Sequence, residues 1–170
     1  MGKKSIKENK NIYFESREEA GLTRAQASEL IGTISESRLE KLETGKTALY
    51  PEDVVDMAAA YKKPELCNYY CTHECRIGKD TAVPEVKVST LSEIVLSMLS
   101  ALNSLNSQQV RLIDITADGV ISDDELPDFV QIQHQLDQID STVESLKLWI
   151  ASTIADGKLN KDKLKELQGN

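Results

Sequence analysis

The stretch from Arg17 to Ala60 reads REEAGLTRAQASELIGTISESRLEKLETGKTALYPEDVVDMAAA, and its punctuation constrains the chain more than any other feature. It is a series of short helical segments, each opened and closed by residues suited to those tasks. Thr23 stands before Arg24 and caps a predicted helix in which Ala27, Leu30 and Ile31 share one face, since its hydroxyl accepts from the free N–H groups of the first turn. Gly32 ends that helix because glycine enters the left-handed backbone without a side-chain clash. Ser35 caps the next, with Leu39 and Leu42 inward and Glu36, Ser37, Arg38 and Lys41 outward. Gly45 closes it. Pro51, whose missing N–H costs nothing in a first turn, opens another with Val54, Val55 and Ala58 inward.

Two short helices joined by a tight glycine turn, the second polar on its outer side, is how proteins seat a helix in the DNA major groove. At LTRAQASELIG and LEKLETG the chain resembles the Cro/phage-repressor-like (XRE-type) helix-turn-helix family, with Leu42-Glu43-Thr44-Gly45 in place of the family's closing Ile-Glu-x-Gly. The resemblance covers roughly residues 10–63. It departs at Gly32-Thr33-Ile34-Ser35, one residue longer than the family turn, and at Arg24, where many members carry Gln. It implies double-stranded DNA as partner and a role in transcriptional regulation. The expected contacts are Ser37, Arg38 and Lys41 towards bases, and Arg24 and Lys46 towards phosphates.

Charge sets a second reading beside the first. DNA affinity rests largely on neutralising phosphates with Lys and Arg. Residues 1–80 carry 13 basic and 14 acidic side chains, and residues 81–170 carry 7 and 14, so a near-neutral head precedes an acidic tail. A basic face forms only if Lys3, Lys4, Lys7, Lys10, Arg24, Arg38, Lys41 and Lys46 converge. The competing reading is a protein-interaction module on a helix-turn-helix scaffold.

CNYYCTHEC places Cys67, Cys71 and Cys75 four residues apart with His73 between them. Three thiols and an imidazole are a chemically reasonable zinc set. On a continuous helix, however, the cysteines make one stripe and His73 points elsewhere, so they read first as small packing residues beside Tyr69 and Tyr70. A metal- or redox-responsive switch on these residues is the weaker reading, and no cofactor is expected. An odd cysteine count suits a reducing cytoplasm. The amino terminus is basic without an apolar signal core, and no apolar run approaches the roughly 20 residues that span a bilayer, so neither secretion nor a membrane partner is expected.

In the second half, Leu91, Val95, Met98, Leu102 and Leu105, continuing to Gln109 and Leu112, alternate steps of three and four. So do Phe129, Ile132, Leu136, Ile139, Val143, Leu146 and Ile150. That is the seam of a coiled coil, and it predicts an antiparallel hairpin whose second helix runs about 30 residues, roughly 45 Å. Ile94, Leu99, Val130, Leu148 and Trp149 widen the stripe beyond one seam, so something further must cover it: the short last helix from Lys161 to Leu167, the head, or a second copy. The connecting turn holds a partial calcium-loop pattern in Asp114, Asp118, Gly119, Ile121 and Glu125, from which Thr116 departs at the third place. ADGVISDDEL at 117–126 is echoed by ADGKLNKDKL at 155–164, and the echo keeps the glycine and the cap but loses the ligands. Turn chemistry therefore explains both copies.

There is no phosphate loop, no nucleophile elbow and no catalytic setting for His73 or His134, so neither an enzyme nor a small-molecule substrate is expected. The chain reads as all-α: a helix-turn-helix domain at 1–63, a cysteine-bearing connector at 64–84, and a helical hairpin at 85–170 that pairs two copies.

Overall fold

Tyr13, Ala27, Ile34, Leu39, Leu42, Val54, Met57, Ala58, Tyr61 and Leu66 form one buried apolar core. They come from five short helices and, at Ile34, from the turn between the second and the third, which is what the capping pattern dictates. The computed structural model describes residues 10–168. The elements are α1 (Ile12–Glu19), α2 (Arg24–Ile31), α3 (Glu36–Glu43), α4 (Pro51–Tyr61), α5 (Glu65–His73), α6 (Arg76–Asp80), α7 (Leu91–Ser107), α8 (Gln109–Thr116), α9 (Leu126–Ala155) and α10 (Lys161–Gln168). No strand occurs among the described residues. No helix among them is long and apolar enough to cross a membrane.

The described chain divides into two compact units. One runs through Ala82 and includes the stretch from Ser152 onward, and the other covers residues 83–151. In the first, α1 packs on α3 and α4, α2 on α3 and α4, and α5 on α4. Leu66 is fully buried in that core, so the cysteine-bearing segment supplies a structural helix to the head. Gly78 of α6 lies so close to α5 that a Cβ there would sit 2.1 Å from the Cys71 carbonyl oxygen.

Two predicted inward residues face out. Leu30 is 59% exposed and Val55 57%. Ala27 allows α2 to lie close to its neighbours, and only a narrow strip of so short a helix is then covered.

In the second unit α7 and α9 run antiparallel, with the Gln135 amide Nε2 donating to Ser104 Oγ at 3.2 Å. The predicted first arm is broken at Gln108, whose N–H closes on the Leu105 carbonyl, and α8 follows it. The seam also differs from the predicted one. Ile94 and Ala101 are buried with Met98 and Leu105 partly so, whereas Leu91, Val95 and Leu102 remain 40, 43 and 40% exposed. On α9, Ile132, Gln135, Thr142 and Leu148 are buried and Leu136 is 47% exposed. The cause is overlap: α7 carries two adjoining apolar stripes that share Met98. Only one meets α9, across a groove of about 600 Å³ edged by Ser97, Ser100, Ser141 and Ser145.

Both glycine turns form as read. Gly119 and Gly157 take positive φ angles of 74° and 71°. The Glu125 carboxylate accepts from the Ser122 N–H and hydroxyl, and Asn160 accepts from the N–H groups of Asp162 and Lys163 to start α10. Asp118 accepts from Val120 N–H. In the first copy, then, Glu125 and Asp118 are engaged in caps and turns.

Candidate functional site

The candidate site is built on α2, the turn after it and α3. Thr23 caps α2 reciprocally with Gln26: its hydroxyl accepts from the Gln26 N–H, and its own N–H donates to Gln26 Oε1 at 2.9 Å. Gly32, at φ +76°, returns its N–H to the Ser28 carbonyl. The longer turn that follows is pinned. Ile34 is 2% exposed, Ser28 Oγ donates to the Ile34 carbonyl at 2.8 Å, and Thr33 Oγ1 donates to Asp56. Ser35 then accepts the Arg38 N–H and opens α3. Leu39, Leu42 and Glu43 point inward, and Glu36, Ser37, Glu40 and Lys41 are exposed.

Each predicted contact residue has a definite place. Ser37 and Lys41 lie on the open side of α3, and Lys46 is exposed just past it, its N–H closing on the Lys41 carbonyl at 2.8 Å. Neither ammonium makes an ion pair among the described residues. The two arginines are engaged. Arg24 Nε donates to Glu43 Oε2 at 2.8 Å. Arg38 donates through Nε and Nη2 to the two carboxylate oxygens of Asp53, and its guanidinium lies 5.4 Å from the Tyr50 ring centroid. The Asp53 hydrogen bond holds the Arg38 guanidinium above its usual range. Lys10 is exposed, with its ammonium over the Phe14 ring. Lys3, Lys4 and Lys7 lie outside the described residues.

The surface charge is mixed rather than basic. Between Lys10 and Lys63 there are ten carboxylates and eight basic side chains. Glu36 and Glu40 stand on the exposed side of α3 together with Ser37 and Lys41.

Sequence reading missed Arg17, Glu43, Tyr50 and Asp53. Glu43 is buried and receives both Arg17 and Arg24. Asp53 accepts the Tyr50 N–H at 3.0 Å as well as Arg38. One signal was available for Asp53: it stands two residues after Pro51, where a carboxylate caps a first turn.

Cys67, Cys71 and Cys75 are free thiols, each half-buried. Cys67 packs against the head core with Tyr69 and Tyr70. Burial, then the neighbouring thiol, pushes the Cys67 and Cys71 thiols up. Tyr69 stacks on His73 at 4.3 Å, and Tyr13 donates its hydroxyl to Glu74. Among the described residues no group of three or more His, Cys, Asp or Glu side chains is placed to hold a metal ion.

Residues 15–72 match the family model described as a helix-turn-helix domain. This segment is a helix-turn-helix domain. The helix-turn-helix domain overlaps the Cro/repressor-like stretch at 10–63 and extends through most of α5. No curated protein and no solved structure gave a match to the chain. A helix-turn-helix domain supports a DNA-binding regulatory role in general.

Proposed function

We propose that this chain is a transcriptional regulator that places α3 in the DNA major groove and pairs with a second copy through its carboxy-terminal helices. The carrying observation is the helix-turn-helix domain with the outer side of α3 exposed. Ser37 and Lys41 sit at the centre of that side and address bases. Lys46, beyond the end of α3, addresses a phosphate, as does Arg24 at the start of α2.

Pairing is supported by the unused stripe of α7. Leu91, Val95, Leu99 and Leu102 are 40–53% exposed, and Glu93 is the only charged residue in the helix. Two copies of an acidic chain repel, so an apolar and nearly uncharged face is where they meet at least cost. A dimer presents two copies of α3, and half-sites in such operators lie about one helical turn, roughly 34 Å, apart.

A mobility shift with random genomic fragments at low salt tests the reading, followed by selection of bound fragments. Lys46→Ala should weaken all sequences alike and lower the salt slope by about one. No shift at any salt concentration excludes the proposal. The carboxylates of α3 favour a second reading, a protein-binding helix-turn-helix, and that is the outcome the same experiment identifies by absence of binding.

A further inference from the structure

We propose that Asp53 is a positioning residue that presets Arg38 to read a guanine in the major groove, an inference that rests on the DNA-binding reading above. A guanidinium has five N–H donors on a rigid plane. Asp53 takes the edge formed by Nε and Nη2, at 3.3 and 2.5 Å. Nη1 makes no hydrogen bond among the described residues, which leaves the Nη1/Nη2 edge as a second fork. The side chain is one-third exposed while Asp53 is 12% exposed, so the occupied edge lies on the protected side. Tyr50 supports the flat face of the guanidinium.

The remaining fork matches the paired acceptors O6 and N7 of guanine. It suits a phosphate poorly. A phosphate approaching Arg38 meets the Asp53 carboxylate as well, and the pair carries no net charge. A base edge is neutral and has no such conflict. Holding the arginine beforehand also removes the rotamer freedom that a long side chain otherwise loses on binding.

The experiment is selection from a duplex pool randomised over the binding site, using the full-length wild type, Asp53→Asn and Arg38→Lys. Wild type should prefer guanine roughly 5- to 150-fold at one position per half-site. Asp53→Asn should reduce that preference roughly two- to tenfold and leave the other positions unchanged. The same variant should bind random DNA more tightly, because a carboxylate has been removed. Arg38→Lys keeps the charge and leaves Asp53 on the Tyr50 N–H, and it should flatten the same position. Should Asp53→Asn fail to fold, Asp53→Glu, which keeps a carboxylate but sets it one methylene further out, should weaken the guanine preference in the same direction, and an unchanged preference there overturns the inference. An unchanged profile for folded Asp53→Asn overturns the inference while leaving the DNA-binding reading intact. So does a uniform loss across all sequences for Arg38→Lys, which marks a phosphate contact. Absence of DNA binding by the wild type overturns both together.

Discussion

Arg17 and Glu43, 26 residues apart in the chain, meet as a two-point ion pair inside the head, Nε on Oε1 and Nη2 on Oε2. Their side chains are 5% and 0% exposed. Arg17 Nη1 also donates to the Leu22 carbonyl at 2.6 Å, and Arg24 shares Glu43 Oε2. Burial works against the charge of Arg17, but the hydrogen bond and attraction from Glu43 prevail and hold the guanidinium above its ordinary range. One carboxylate therefore ties α1, α2 and α3 together.

Removing only one partner leaves a buried charge unmatched. Glu43→Ala should destabilise the head by roughly 3–5 kcal/mol, read from urea unfolding. Replacing both partners with apolar residues of similar size, Arg17→Met with Glu43→Leu, should recover most of that loss because the desolvation cost of the pair disappears with it. A single-variant loss below about 1 kcal/mol would mean that solvent reaches the pair.

The second prediction concerns the open stripe of α7. Val95→Glu and Leu99→Glu place charges on residues that are 43 and 53% exposed. Sedimentation should show the wild type as a dimer and both variants as monomers, with unchanged helical content. Affinity for a paired site should drop much more than affinity for a single half-site. A wild type that sediments as a monomer at tens of micromolar would contradict the pairing.

Tyr61 and Tyr13 give the head an alkaline limit. Burial, then the Glu43 carboxylate, raises the Tyr61 phenol; burial, then the Glu74 hydrogen bond, raises that of Tyr13. Both folded values lie above the unfolded one, so the neutral phenol is favoured in the fold. Their stabilisation is complete below about pH 10, the ordinary phenol value, and declines as pH rises beyond it. Urea midpoints measured from pH 8 to 11 should fall above 10. The Tyr61 hydroxyl has no hydrogen-bond partner among the described residues. Tyr61→Phe should therefore change stability at pH 7 by no more than about 1 kcal/mol and make the alkaline decline shallower.

The thiols supply a fourth prediction. Alkylation proceeds through the thiolate, and burial raises the Cys67 and Cys71 thiols. Both should react with iodoacetamide at neutral pH more slowly than free cysteine, read residue by residue by mass spectrometry. Gly78→Ala forces α6 off the Cys71 carbonyl and should speed reaction at Cys71. Equal rates for free cysteine and for both thiols would argue that the α5–α6 packing is open.

Capping residues were legible because their chemistry is local. Thr23, Gly32, Ser35 and Pro51 each act within a few residues of themselves, and each does what its neighbours imply. The seam of α7 was not legible, because Leu91-Val95-Met98-Leu102 and Ile94-Met98-Ala101-Leu105 fit helical periodicity equally well. Which stripe is covered is set by packing on α9, far away in sequence, whose Ser141, Thr142 and Ser145 line the groove beside Ile94 and Ala101. The pairing of Arg38 was hidden for a related reason. An outward polar residue in α3 gives no sign that Asp53, 15 residues later, comes back beside it.

Ile34 turns the elbow between α2 and α3 into a fixed joint. Its burial means that the azimuth of α3 is decided on the dry side of the domain, by hydrocarbon contacts that no nucleic acid reaches. Side chains on the wet side can then be exchanged without re-aiming the helix. Replacing Ile34 with a small or polar residue would have the opposite effect: the rim would keep its chemistry, but the joint would lose the buried contact that aims it.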